Sequence, residues 1–389
     1  MAAYNNMIRR GALFSLSSLA LAVSLSAQAY QFEVGDTTAS IYGYAKLDLI
    51  YDVDNDLGVF GANPNVALDG EQVSTGHTRL HANQSRLAFE TSTPTEQGAL
   101  RTVIEGDFYG GGGGQFRLRH AYGEWNGIRA GQSETNFGTI LGMTRIIDFK
   151  PQPGLANGAR QGQLRYTTGG FSVALEEPGA LGGGVASGFS AVNGRPAVHP
   201  NNKNSVPDVT MRYSGQAGDF RYGTSALLRR LGVDDGAEKN SATAWALNLE
   251  GEYRVSSAVT LRGSVTHGDG VGGYIEEAAG ASAYVDPVSG EVKTIRATGA
   301  TASIQLAAGP GNINLGYGYT TADLDGAVQD GVANAELANE TMTDIHLNYI
   351  WSPIRNVSYG VEVSRHTRKI ANGDDGDAVR LQGMVMYRF

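Results

Sequence analysis

From Ser40 to the last residue the chain repeats one pattern: about ten residues in which apolar and polar side chains alternate, then a break rich in glycine, asparagine, aspartate or proline. A period of two is the signature of a β-strand with two unlike faces. Runs near 40–51, 79–92, 98–108, 115–125, 127–133, 160–167, 170–177 and 207–214 are followed by runs near 218–228, 242–254, 258–267, 295–307, 311–320, 341–351, 356–366 and 378–389. That gives sixteen strands, and their connections alternate in length. "TPTEQ", "NG", "TTGG", "SGQAG", "VSSA", "GPG" and "SPIRN" are short. The stretches 52–78, 134–159, 178–206, 229–241, 268–294, 321–340 and 367–377 are long, with the glycine tract 109–114 the shortest of that set. A soluble β-sandwich has no reason to sort its loops by parity, and a solenoid needs a fixed-period repeat that is absent here. Short turns at one end and long loops at the other fit an up-and-down barrel spanning an outer membrane.

The faces of the runs agree. Leu247, Leu249, Val265, Ile313, Leu315, Ile345, Leu347, Val361 and Val363 fall on one side, and Asn248, Glu250, Ser264, Asn314, Asp344, His346, Asn348, Glu362 and Ser364 on the other. Alternation alone does not say which set faces inward. Sixteen strands, however, enclose a cylinder too wide for side chains to fill, so the polar set is expected to line water and the apolar set to meet lipid. Tyrosines and tryptophan near strand ends then read as interfacial girdles.

The first residues support export. Arg9 and Arg10 precede a small apolar run ending at Ala27-Gln28-Ala29, which reads as a cleaved signal peptide over 1–29 with a barrel domain over 30–389. Loss of Arg9 and Arg10 leaves 28 basic residues against 39 acidic ones and moves the formal charge from -9 to -11. Such a balance argues against a nucleic-acid partner. No later run approaches the roughly 18 apolar residues of a membrane-spanning helix. There is no cysteine, so strand pairing alone must hold the exported fold.

Motifs of known chemistry are incomplete wherever they begin. Gly110–Gly114 lack the Gly-Lys-Ser/Thr of a phosphate loop, and Gln115 stands where a dinucleotide pattern needs glycine, so the tract reads as an external turn. "DVDNDLG", with Asp52, Asp54 and Asp56, begins like a calcium loop, but Gly58 comes one place late and Asn63 replaces the final glutamate. His77 and His81 have no third ligand nearby. No cofactor, metal site or catalytic constellation is expected.

What remains is arginine. Alternation directs Arg86, Arg101, Arg117, Arg119, Arg129, Arg165, Arg212, Arg221 and Arg262 to the lumen, with Phe116, Leu118 and Tyr122 facing out. The acids concentrate elsewhere: 21 of 39 lie in or beside the predicted external loops, where they are solvated or meet divalent cations bridging lipopolysaccharide. About half of the arginines are expected to pair with Glu90, Glu105, Asp107 and Glu176 on the wall, and the rest to form a guanidinium track for carboxylates. The third long connection carries Ile140, Leu141, Met143, Ile146, Ile147 and Phe149, more apolar surface than a solvated loop needs. It is expected to fold inside, with Arg145, Asp148, Lys150 and Arg160 at a constriction.

The segments "IYGYAKLDLIYD", "SRLAFETSTPT", "LRTVIEGDF", "RLRHAYGEW", "RAGQSETNF", "IDF" and "RQGQLRYT", in that order, resemble the DcaP-type porins. The resemblance is densest over 40–177. It implies a trimeric sixteen-stranded channel for small anionic solutes such as dicarboxylates. The final "MYRF" is similar to the assembly signal of outer-membrane barrels. Two features depart from the family pattern: only about ten residues separate the expected cleavage site from the first strand, where the family often has a helical coiled-coil extension, and Ser133-Glu134-Thr135-Asn136-Phe137 lacks the tryptophan usual there. The sequence therefore predicts an all-β transmembrane antiparallel barrel with an inward-folded third loop, a passive outer-membrane porin of a Gram-negative bacterium. A non-selective porin, an adhesion or structural barrel and an outer-membrane enzyme are the alternatives.

Overall fold

Each alternating run becomes one stave of a closed antiparallel barrel. The computed structural model describes residues 29–181 and 184–389; the signal-peptide reading falls on the segment outside them. We number the staves β1 (Thr37–Asp52), β2 (His77–His81 continued by Arg86–Thr93), β3 (Leu100–Gly110), β4 (Gln115–Trp125), β5 (Ile128–Glu134), β6 (Arg160–Thr168), β7 (Phe171–Glu176) and β8 (Asp208–Ala217). The second half comprises β9 (Phe220–Asp234), β10 (Lys239–Arg254), β11 (Val259–Asp269), β12 (Arg296–Ala308), β13 (Gly311–Ala322), β14 (Asn339–Ile354), β15 (Val357–Ile370) and β16 (Asp375–Arg388). Neighbours in sequence pair antiparallel, and β16 pairs back onto β1 from Tyr44↔Arg388 to Asp52↔Arg380.

Closure is finished by both ends of the chain. Phe389 exchanges both backbone hydrogen bonds with Gly43, each 3.1 Å, at the point where β16 ends. From there a short strand Tyr30–Val34, absent from the sequence reading, takes over the same edge of β1 from Ile41 to Thr37. No edge of β1 is left to template another chain.

The wall is inverted relative to a soluble protein. Leu247 is 56 % and Leu249 64 % exposed, whereas Asn248 and Glu250 between and beside them are 1 % and 5 % exposed. Apolar side chains outside and polar ones inside place the barrel in lipid. No helix among the described residues is long and apolar enough to cross a membrane.

Three expectations need correction. The connections expected to be long at 229–241 and 367–377 are four-residue turns, 235–238 and 371–374, because β9, β10, β15 and β16 carry their alternation on past the width of the bilayer. The first long connection, 53–76, does not stay outside: Leu57 and Asn63 are fully buried within the barrel. Finally, Tyr122 points inward. A bulge opposite Glu105 and Gly106 puts Arg119 and His120 side by side on the inner face and reverses the alternation beyond them. Tyr122 thereby meets Arg101 and Arg129, as an extra residue in one strand re-aims the side chains beyond it.

The glycine tract has a backbone reason. Gly111 to Gly114 all have positive φ, 62° to 131°, in a turn closed by Gly114 N donating to Phe108 O at 2.8 Å and to Asn83 Oδ1 at 3.1 Å. Four consecutive residues of this kind admit glycine alone without strain.

Above the wall the fourth and sixth loops build a small mixed sheet, Val185–Phe189 and Pro196–Val198 with Ala283–Val285 and Val292–Thr294. The seventh loop adds the helix Asp325–Gln329. Leu181, Phe189, Tyr284, Leu324 and Val332 pack into a core that continues down to Phe137 and Ala156 of the third loop.

Candidate functional site

The third loop, 135–159, runs along the inner wall, and wall carboxylates hold its peptide N–H groups. Glu176 on β7 accepts from Asn136 N at 2.6 Å and from Thr135 Oγ1 at 2.8 Å. Glu250 on β10 accepts from Thr139 N at 2.6 Å and Leu141 N at 2.8 Å. Glu362 on β15 accepts from Ile147 N at 3.0 Å. Between these, Thr301 Oγ1 and Asn348 Nδ2 donate to the carbonyls of Gly142 and Arg145, each at 2.8 Å. A carboxylate can accept several N–H bonds at once, so three acids on one polar face satisfy backbone that would otherwise be buried without partners. Glu176 therefore holds the loop and does not take the arginine partner expected for it. Nothing in the local sequence distinguishes these three acids from other inward ones; only the path of the loop does.

The loop returns closely along the wall at Gly154. A Cβ there would stand 1.9 Å from Tyr319 O and 2.6 Å from Ala300 N, and φ is 86°. We expect Gly154→Ala to lift this part of the loop from β12 and β13, and a changed single-channel conductance would register it.

The predicted constriction residues separate into two kinds. Asp148 is buried, bonded by Arg380 Nη1 and Gly61 N at 2.9 Å each. Burial raises its carboxyl, but Arg380 and the N–H groups of Gly61 and Lys150 outweigh that and bring it down to about 2. Lys150 is also buried, its ammonium 2.6 Å from Glu277 and 3.0 Å from Asn63 Oδ1. These two residues fasten the third loop to the first and sixth loops and do not line open space. Arg160 lies 3.4 Å from Glu134 and donates to His120 Nε2 at 3.2 Å. Arg145 is exposed and has no carboxylate within 4 Å among the described residues. It shares a cavity of about 700 Å³ with Arg221, Arg254, Arg262, Asp219 and Glu252 beneath the loop, at the short-turn end of the barrel.

Of the nine wall arginines, seven rather than half have an acid beside them. Arg101 is bidentate to Glu90 at 2.6 and 2.8 Å, and Arg117 is bidentate to Asp107 at 3.0 and 2.8 Å. Arg119 reaches Glu105 and Asp107, Arg86 shares Glu105, and Arg129 meets Glu124 at 2.8 Å. Arg221 and Arg262 share Glu252, which stands directly between them in register. Seven guanidinium groups thus divide five carboxylates. Among the described residues Arg165 and Arg212 have none: each donates to a carbonyl, Glu134 O at 2.6 Å and Gly138 O at 3.1 Å, and each keeps a buried Nε without a partner there. Arg165 also sits directly opposite Arg129 across the strand pair, an arrangement that costs stability unless water or an anion lies between.

Aromatic rings flank several of these arginines. Arg129 stands 4.4 Å over Tyr122, Arg86 5.3 Å over Tyr44, and Arg117 5.5 Å over Phe149 of the third loop. Such rings hold a guanidinium in place without neutralising it.

The acids of "DVDNDLG" are consumed structurally. Asp52 takes Arg380 at 2.6 Å, Asp54 accepts from Val379 N, and Asp56 is bidentate to Arg79. His77 and His81 remain apart from a different histidine pair, His346 and His366, which the barrel brings beside Asp344. Sequence spacing does not reveal that set, because its members lie on two strands joined through a distant turn.

Glu276 in the sixth loop is held next to Glu277 and near Lys150. Burial pushes its carboxyl up, Lys150 opposes this and Glu277 reinforces it, leaving it at about 7. A carboxyl raised in the folded state favours folding at low pH and weakens it as pH climbs through 7. Glu276→Gln is therefore expected to raise the thermal unfolding midpoint in detergent at pH 8 and to leave it unchanged at pH 4.

Comparison with known proteins agrees with this architecture. Residues 24–389 match the family model for the DcaP outer membrane protein. The crystal structure of the outer membrane channel DcaP of Acinetobacter baumannii superposes with a TM-score of 0.77 at 21 % identity, covering 92 % of this chain and 99 % of that one. An anion-selective porin from Comamonas acidovorans gives 0.58 at 11 % identity over 91 % and 100 % of the two chains. OmpT, an outer membrane protein of Vibrio cholerae, gives 0.58 at 12 % over 92 % and 100 %. No curated protein matches. With the family model spanning the whole barrel, the chain belongs to the DcaP outer membrane protein family.

Proposed function

We propose that the protein is a passive outer-membrane porin for small hydrophilic solutes that prefers anions, carboxylates above all, and that it works as a trimer in a Gram-negative outer membrane after cleavage of its leader. The observation that carries this reading is the unequal use of acids and arginines. Three inner-wall acids, Glu176, Glu250 and Glu362, are committed to the third loop, while nine wall arginines stand against five carboxylates. The excess positive charge is greatest where Arg145, Arg221 and Arg262 surround Glu252 and where Arg165 and Arg212 stand without an acid. A guanidinium presents paired donors that match a carboxylate edge to edge. The DcaP channel and the anion-selective porin among its structural neighbours fit this reading.

Reversal potentials in planar bilayers under a potassium chloride gradient test it: chloride is expected to carry more of the current, and a cation-selective potential overturns the proposal. The non-selective alternative has one observation in its favour, the bidentate neutralisation of Arg101 and Arg117. It predicts a reversal potential near zero. No catalytic role is proposed.

A further inference from the structure

The first, third and sixth loops converge on the inner wall at β14 and β15, where the local charge is out of balance. Glu277 and buried Asp344 share the single ammonium of Lys150, and Glu362, also buried, stands against His346. His346 and His366 lie among them, 1 % and 0 % exposed. Asp344 and His346 are two apart on β14 and so share its inner face, and His366 on β15 is directly opposite Asp344.

We propose that Asp344, His346 and His366 bind one divalent first-row transition-metal ion, and that this ion ties the inward loops to the barrel wall. The geometry has three parts. First, a carboxylate oxygen and one nitrogen from each ring all lie within 4.8 Å of one another. Second, the two nitrogens that face Asp344, His346 Nε2 and His366 Nδ1, have no hydrogen-bond geometry to any group among the described residues. His346 Nε2 is 3.5 Å from Asp344 Oδ2, long for a hydrogen bond, and His366 Nδ1 is 2.9 Å from Oδ1 but badly angled to it. Two ligands each about 2.0–2.1 Å from a tetrahedral ion stand about 3.3 Å apart, which is the order of these separations. Third, the far nitrogen of each ring is fixed by an oxygen: Glu362 Oε1 at 3.3 Å from His346 Nδ1, and Ser364 Oγ at 2.9 Å from His366 Nε2. Metal-binding histidines are oriented in just this way by a second oxygen partner.

Two imidazoles and a carboxylate suit zinc, cobalt, nickel or iron rather than calcium or magnesium, which take oxygen donors. A dication there offsets the surplus of buried carboxylate. Lys150 need not leave, because its closest partners are Glu277 and Asn63 and its distance to Asp344 is 3.5 Å. The rival account neutralises the same acids with protons on the two rings.

The test uses tag-free, chelator-treated porin in detergent, titrated with zinc chloride by calorimetry and with cobalt chloride by visible absorption. One equivalent per chain is expected, with cobalt bands of a nitrogen-ligated site. His346→Ala and His366→Ala are each expected to weaken zinc binding at least tenfold, whereas His267→Ala on the outer face leaves it unchanged. Assembly of every variant is checked by heat-modifiable mobility on gels. Should the alanine variants fail to assemble, X-ray absorption of zinc-loaded wild type decides, two imidazole ligands supporting the site and fewer overturning it. Absence of a saturable equivalent in wild type, undiminished binding in assembled His366→Ala, or conductance that responds to acid and not to zinc overturns the proposal.

Discussion

Arg380→Met destabilises the barrel by about 3–5 kcal/mol, the loss expected when one partner of a buried ion pair is removed. The Arg380 guanidinium is 1 % exposed and bonds Asp52 at 2.6 and 3.0 Å, Asp148 at 2.9 Å and Gly58 O at 2.7 Å. Its removal strands two buried carboxylates, one on the wall and one on the third loop, together with a first-loop carbonyl. Thermal unfolding in detergent measures the stability loss. Because the same guanidinium joins two inward loops to β16, single-channel records of the variant are also expected to show noisy, flickering currents. An unfolding midpoint equal to that of the wild type would mean that Asp52 and Asp148 find other partners.

The second large effect concerns selectivity. Arg145→Ala, Arg221→Ala and Arg262→Ala combined remove three charges from around Glu252 and leave that acid facing the cavity. At a water-lined wall each charge acts on a nearby ion with about 1 kcal/mol, reduced further by salt. The triple variant is expected to lower the anion-to-cation permeability ratio by about tenfold, read from reversal potentials at low ionic strength. Arg117→Ala is expected to do far less, because Asp107 already neutralises it and remains bonded to Arg119. An equal change in the two would show that ion pairing on the wall does not govern selectivity.

The staves, their order and the inverted faces were legible in the sequence because strand periodicity is a local property, fixed residue by residue by the demands of lipid outside and water inside. What lay hidden depends on contacts between remote segments. A bulge at Arg119 and His120 leaves no mark on alternation other than a shift of one residue, so alternation points Tyr122 outward while the fold turns it inward. The inward course of the first loop rests on Asn63 meeting Asp344 and the carbonyls of Thr343 and Thr367, positions about 280 to 300 residues away in sequence. The apolar content of the third loop revealed that it would pack, but not that Asp148 and Lys150 would be consumed as fasteners while Arg145 stayed free. Arginine pairing exceeds the expectation for a related reason: register places Glu252 against both Arg221 and Arg262. A carboxylate in the middle of such a row serves two guanidinium groups, which counting charges along the chain does not show.

The packed core that runs from the surface sheet down to Phe137 and Ala156 has a mechanical meaning. Phe189 and Tyr284 above, and Phe137 and Tyr274 below, belong to one continuous solid of side chains, and such solids transmit displacement instead of absorbing it. A body that grips the long-loop end of this barrel, an antibody fragment for example, is therefore expected to shift the third loop on the inner wall as well.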